Sequence, residues 1–154
     1  MILIRSLESA DLERGFLDCL GSLAPVDLTV SEATAIWSTR THAGIETLVA
    51  LKEGTVVGTA SLLVERKFIH RGGIVGHIED VAVHNAFAGQ GIGKALLEHL
   101  IDLATRRGCY KVILSCHDQF IPFYTKAGFR RYDNGMRLDL TIGKVSAATS
   151  EAAG

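Results

Sequence analysis

The sequence predicts an α/β (α+β) fold in which a central mixed, strongly twisted sheet is flanked by helices on both faces. Three observations carry that expectation. Residues 46–51 and 55–66 are extended apolar runs joined by Lys52-Glu53-Gly54, the pattern of a hairpin. Residues 74–83 form another such run, which leads through a glycine-rich loop into a long amphipathic helix and then an apolar run at 110–116. That order is a strand–helix–strand unit, whose crossover makes its two strands parallel. Finally, 154 residues with 47% hydrophobic content suit a single domain, read as residues 1–143, with a core of its own.

Taken in order, Met1 to Arg5 is a short apolar run suited to a strand. Ser9 can cap a first helix in which Leu12, Phe16, Leu17 and Leu20 share a face before Gly21 ends it. After a loop at Pro25, Ser31 caps a second helix that packs through Ala35, Ile36 and Trp37. Residues 68–73, with Lys67 just before them, form a basic loop carrying His70 and Arg71. From Gly91 to Arg107 the residues Ile92, Ala95, Leu96, Leu100 and Leu103 make a stripe at helical spacing, and Gly108 follows as a C-cap. The 110–116 run is β-branched and of the kind buried on both faces. A short helix at 119–127 closes on Gly128, and residues 129–132 and 136–142 are read as final strands. From residue 144 to 154 the chain is small and polar, a composition expected to be disordered.

Composition excludes several classes. Sixteen Lys and Arg against 17 Asp and Glu give a formal charge of −1, which supplies no field for nucleic acid. The apolar residues are dispersed, with no run near the ~20 residues that a bilayer requires and no signal-peptide core, so no membrane partner is expected. Cys19, Cys109 and Cys116 are odd in number and lack metal-type spacing, which fits reduced thiols in a cytoplasm and no metal.

The stretch that carries chemistry is Val81-Ala82-Val83, a short loop, then Gly89-Gln90-Gly91-Ile92-Gly93-Lys94 entering the long helix. Glycines let backbone approach a ligand, and a helix N-terminus presents unpaired N–H groups and partial positive charge to a phosphate. The spacing rejects the P-loop, because Ala95 rather than Ser or Thr follows Lys94. It also rejects the dinucleotide fingerprint, because the run is Gly-x-Gly-x-Gly and lies mid-chain. A phosphate cradle after a central strand remains, beside the plainer reading of a glycine turn that starts a helix.

Gly91-Ile92-Gly93 after a strand, followed some thirty residues later by Phe123-Tyr124-Thr125-Lys126-Ala127-Gly128-Phe129, resembles the GNAT superfamily of acetyl-CoA-dependent N-acetyltransferases. Within it, Glu65-Arg66-Lys67-Phe68-Ile69-His70, Gly76-His77-Ile78-Glu79-Asp80-Val81 and Gly108-Cys109-Tyr110-Lys111 are similar to the glucosamine-6-phosphate N-acetyltransferases, a likeness running from about Leu3 to Leu140. The resemblance implies the GNAT fold, acetyl-CoA as cosubstrate and direct sequential transfer to the primary amine of an amino sugar. Val81, Ala82 and Val83 would then face the acetyl and pantetheine portion, and Gly89, Gln90, Gly91, Ile92, Gly93 and Lys94 the pyrophosphate. Tyr124 would protonate the departing thiolate and also touch the cofactor; its other reading is a core aromatic beside Phe123 and Phe129. Glu79 and Asp80 would orient the ammonium or take its proton. As neighbours on a strand they are expected to point to opposite faces. Lys67, Phe68, Ile69, His70 and Ser115 match positions at the sugar, and His77, on the Glu79 face, is a candidate proton acceptor beside the plainer reading of a satisfied structural histidine. The resemblance also implies a homodimer joined through the C-terminal strand.

Departures fall on the acceptor side. Ala24 stands where family members have a phosphate-binding threonine, Ser115 where they have an acid, Asp139 where they have an arginine and Phe120 where the superfamily has an asparagine. Two readings follow: Lys67, Arg71 or Arg137 supplies the charge for a sugar phosphate, or the acceptor carries none. Beyond these stand an acyl-CoA binder without catalysis, and an enzyme for a non-sugar small amine or a peptide.

Overall fold

The computed structural model describes residues 1–141. Its sheet has five strands in the order β1 (Leu3–Ser6), β2 (Glu46–Lys52), β3 (Thr55–Arg66), β4 (Ile74–Val83) and β5 (Cys109–Ile113). The first four pair antiparallel, and β5 is parallel to β4, as the intervening helix requires. That helix, α3 (Ile92–Arg106), lays Leu96, Leu97, Leu100 and Ala104 on Leu48, Ala50, Ala60, Leu62 and Ile78 of one sheet face. Leu62, Leu96, Leu97 and Leu100 are at most 1% exposed, and each contributes about 1.5–3 kcal/mol of burial. The opposite face is covered at one end by α1 (Phe16–Gly21), where Cys19, Val49, Leu51, Val56 and Ala82 form a second cluster.

Several expectations needed correction. The first helix is broken: a 3₁₀ turn (Ser9–Glu13) precedes α1, and Gly15 between them sits at φ 95, which no right-handed helix accommodates. The turn starts from Glu8, not Ser9, because the carboxylate of Asp11 accepts the Glu8 N–H at 2.8 Å. Arg5 of β1 donates to both Asp11 oxygens, at 2.7 and 2.9 Å, so this pair ties the turn to the sheet. In α2 (Val30–His42) the cap is Thr29 instead of Ser31. Thr29 and Glu32 close a reciprocal capping box, and the helix packs through Ala33, while Ala35 and Ile36 are exposed and Trp37 is half-buried. The expected basic loop is a tight left-handed turn, with His70 at φ 51 and Arg71 at φ 57. β5 is half-buried and ends at Ile113, not Cys116. Among the described residues, 129–132 and 136–141 form no strand; Met136, Leu138 and Leu140 are 97%, 84% and 70% exposed, with nothing to pair against. Ile142 and the tail from 144 lie outside the described residues. Among those residues no helix is long and apolar enough to cross a membrane.

Candidate active site

β4 and β5 pair only from Ile74↔Cys109 to His77↔Ile113. Beyond that point the two parallel strands part, and a cleft of about 1380 Å³ opens between residues 78–83 of β4 and Leu114, Ser115 and Cys116 after β5. Ligand sites in open α/β sheets lie at such carboxyl ends of diverging strands. The backbone of β4 along the cleft therefore has no β5 partner and faces the open space.

The cleft floor is the start of α3. Gly91 is its N-cap at φ 79 and Gly89 precedes it at φ 78, both left-handed turns that glycine adopts without strain. The first intrahelical bond runs from Ala95 N–H to Gly91 C=O, so the N–H groups of Ile92, Gly93 and Lys94 have no helical acceptor. No atom lies within 4 Å of where a Cβ would stand on Gly89 or Gly91, so the cradle is open to a ligand. Open donors at the positive end of a fifteen-residue helix fit a pyrophosphate. The helix is seated by Gly58 of β3, where a Cβ would lie 2.7 Å from Ile92 Cγ2.

The most informative departure from regular structure is in β4. Register pairs Thr59 with Ala82 and Ser61 with Glu79, so two residues of β3 span three of β4. The extra residue is Asp80, at φ 51, a bulge. Glu79 and Asp80, expected to point to opposite faces, are both exposed and are both among the residues that line the cleft. The bulge also shifts the phase of the strand, so that Ala82 packs on the α1 side while Val81 and Val83 pack on the α3 side.

Tyr124 lies on the opposite wall, in α4 (Ile121–Lys126), held edge-on between Phe123 at 4.9 Å and Phe129 at 5.9 Å. It packs on the core and also lines the cleft. Burial, with Cys116 adding to it, pushes its hydroxyl up to about 12, so it is a proton donor at neutral pH. Burial and then Asp118 push the Cys116 thiol up as well, which leaves little thiolate for nucleophilic attack.

Of the remaining predicted residues, Val81, Ala82, Val83, Gly89, Gly91, Ile92, Gly93, Lys94 and Ser115 line the cleft, whereas Gln90 is exposed outside its lining. Lys67, Phe68, Ile69 and His70 are not brought there; they sit where β3 turns back into β4, with Phe68 fully exposed and His70 stacked 5.0 Å from Tyr110. His77 also lies outside the lining, hydrogen-bonded to Glu65 at 3.0 Å. Sequence reasoning missed Ser22, Leu23, His117 and Asp118 as lining residues. The last two follow a strand end at the switch point and were findable by that rule. Ser22 carries no local signal; its Oγ accepts the Asn85 N–H at 3.3 Å, a contact 63 residues apart. Among the described residues no group of acids, histidines and cysteines is placed to hold a metal.

Comparison with known proteins agrees with this geometry. The model of the acetyltransferase (GNAT) family matches residues 10–129. A glucosamine 6-phosphate N-acetyltransferase of Trypanosoma brucei brucei is 44% identical over 140 residues, covering 89% of this chain and 95% of the relative. One from Oryza sativa subsp. japonica is 43% identical over 131 residues, covering 82% of this chain and 79% of the relative. The crystal structure of glucosamine-6-phosphate N-acetyltransferase from Arabidopsis thaliana superposes with a TM-score of 0.88 at 34% identity, covering 92% of this chain and 99% of that one. Matched by the family model over residues 10–129 and sharing its fold with the Arabidopsis protein, the chain belongs to the acetyltransferase (GNAT) family and is an N-acetyltransferase.

Proposed function

We propose that this chain is a cytoplasmic enzyme that transfers the acetyl group of acetyl-CoA to the primary amine of glucosamine 6-phosphate. The observation that carries the reading is the parting of β4 and β5 above the free N–H groups of α3, a slot shaped for an amide-bearing arm that ends in a pyrophosphate. The names of the relatives at 44% and 43% identity supply the acceptor.

When bound, acetyl-CoA supplies an acyl thioester as the electrophile. The N–H groups of Ile92, Gly93 and Lys94 would hold its pyrophosphate, with Lys94 adding a charge, and the side of Val81, Ala82 and Val83 that has no β5 partner would hold its amide arm. Glu79 and Asp80, both in the cleft lining, orient the acceptor ammonium and take its proton; Ser115 offers a hydroxyl to the sugar. Tyr124 donates its phenolic proton to the sulfur as it leaves. With the thiol of Cys116 protonated, transfer is direct.

The charged lining of the cleft comprises Glu79, Asp80, Lys94 and Asp118, with His117 beside them, so cations for a sugar phosphate come from elsewhere. Lys67, Arg71 and Arg137 are the candidates. Asp139 does not stand as a bare acid, since Arg137 Nε donates to its Oδ1 at 2.7 Å. A second copy completes this picture. The outer edge of β5 is unpaired in the five-stranded sheet, a hollow of about 350 Å³ lined by Ile101, Val112 and Phe129 lies beside it, and Met136, Leu138 and Leu140 are exposed at alternate positions. We read these as the two sides of a homodimer joined through the C-terminal segment.

Thiol release from acetyl-CoA, measured side by side with glucosamine 6-phosphate and glucosamine, tests the reading. Preference for the phosphorylated sugar is expected. Preference for free glucosamine would show that Ala24, Ser115 and Asp139 mark a changed acceptor. Coenzyme A binding without turnover of either sugar refutes the proposed acceptor.

A further inference from the structure

An amine acceptor arrives as an ammonium and loses a proton before it attacks, and that proton has to leave the cleft. Glu79 and His77 lie on one face of β4 in a stretch of unbroken register, His77↔Leu63, Ile78↔Leu62, Glu79↔Ser61. Residues two apart on a strand are about 7 Å apart at Cα, a span that a glutamate and an imidazole close through a bridging water. His77 Nε2 is 3.0 Å from Glu65 Oε1, and the same oxygen is 3.0 Å from Lys67 Nζ. Hydrogen bonds from Lys67 and then His77 hold the Glu65 carboxyl below its ordinary value, so it is ionised and accepts. The imidazole accordingly donates through Nε2–H and keeps the Nδ1 lone pair for a second proton. Among the described residues His77 is the one histidine paired with a carboxylate.

We propose that His77 carries the acceptor's proton out of the cleft, with Glu65 as its positioning residue; the inference rests on the acetyl-transfer reading above. The ammonium N–H bond breaks and the proton passes to a Glu79 carboxylate oxygen. Glu79 passes it to His77 Nδ1, and Glu65 stabilises the imidazolium so formed. The His77 side chain, 26% exposed, releases the proton to solvent, and all three groups return to their starting state. The charged groups around the ring are Glu65 and Lys67 from β3 and Glu79 from its own strand. β5 places Ile113 opposite, with Lys111 two positions away, and α2 contributes Arg40, which donates to Ser61, the cross-strand partner of Glu79.

The test is the pH dependence of kcat/KM for glucosamine 6-phosphate in the wild type, His77→Gln and Glu65→Gln, with imidazole added back to His77→Ala. His77→Gln keeps a donor toward Glu65 but accepts no proton, and kcat should fall on the order of 10²-fold while the rise in Tm with coenzyme A is kept. Glu65→Gln should lower kcat and change the shape of the pH profile, because the ring loses the carboxylate that orients it, while the rise in Tm with coenzyme A is kept. Imidazole should restore His77→Ala. Superimposable profiles for the wild type and both variants would overturn the relay alone, whereas a wild type that turns over neither sugar would overturn the acceptor reading and the relay with it.

Discussion

Replacing Gly58 by alanine should loosen coenzyme A from a position outside the cleft lining. Gly58 lies on β3 between Ala50 of β2 and Val83 of β4, beneath the first turn of α3. An added Cβ would stand 2.7 Å from Ile92 Cγ2, 3.0 Å from Leu96 Cδ1 and 3.4 Å from the Ala50 Cβ. Ile92 and Leu96 are 2% and 0% exposed, so their methyl groups have nowhere to rotate and the start of the helix must lift. Overpacking of this kind costs about 1–3 kcal/mol, and each kcal/mol lowers Tm by roughly 2–4 °C in a domain of this size. Ile92 also carries the first of the three open N–H groups, so lifting it displaces the cradle. A charge-assisted hydrogen bond contributes about 1.5–3 kcal/mol, and losing one weakens binding roughly 10-fold or more. Thermal unfolding and calorimetric titration with coenzyme A measure both effects. An alanine variant with unchanged Tm and unchanged Kd would refute the claim that this glycine seats the cradle.

Three further outcomes follow from the same geometry. Tyr124→Phe should lower kcat on the order of 10²-fold with little change in either KM. Because Tyr124 acts protonated and is pushed up to about 12, steady-state rates in the wild type should show no decline from its ionisation until the pH nears that value. Cys116→Ala should keep most of the wild-type turnover and sequential kinetics, and loss of activity there would point to an acyl-enzyme. Asp11→Ala breaks the pair with Arg5; Asp11 is 1% exposed but Arg5 is 29% exposed and can reach water, so the cost is about 2–3 kcal/mol, below that of a fully buried pair. Burial pushes the Asp11 carboxyl up, but the Arg5 and Glu8 hydrogen bonds outweigh it and leave it depressed. Its contribution is therefore complete above the ordinary value of 3.8 and lost as pH falls through the native one. Urea unfolding at neutral and acidic pH should show the gap between wild type and variant closing in acid.

Long periodic segments were legible in the sequence. The β2–β3 hairpin, β4 and α3 all lie where their apolar patterns place them, because each buries a wide face against neighbours with the same period. The bulge at Asp80 was not legible. Period-two alternation assumes one residue for one across a pair, and the extra residue appears only when β4 is set against β3. The α2 cap was legible in principle, since Thr29 and Glu32 have the capping-box spacing and Ser31 does not share it. The alternating Met136, Leu138 and Leu140 have the right period for a strand, but among the described residues no strand pairs with them and they stay exposed. In the site, the glycine loop was readable because helix entry is a local signal, whereas Tyr124 was reached through the family resemblance, its local aromatic neighbours pointing only to core packing. Ser22 and Leu23 were not, because their place depends on a contact 63 residues away.

The open edge of β4 and the start of α3 are made of peptide groups, and every residue type presents the same peptide group. Point substitution at Val81, Val83 or Ile92 therefore changes packing before it changes what the donor's arm and phosphates meet. On the proposed reading Glu79, Asp80 and Ser115, by contrast, meet the acceptor with side chains, which a single codon change replaces. The two halves of one cleft thus drift at different speeds: acceptor preference can wander through a lineage while the acyl donor stays fixed. Variant libraries confined to the acceptor wall should yield new amine specificities on an unaltered coenzyme A platform.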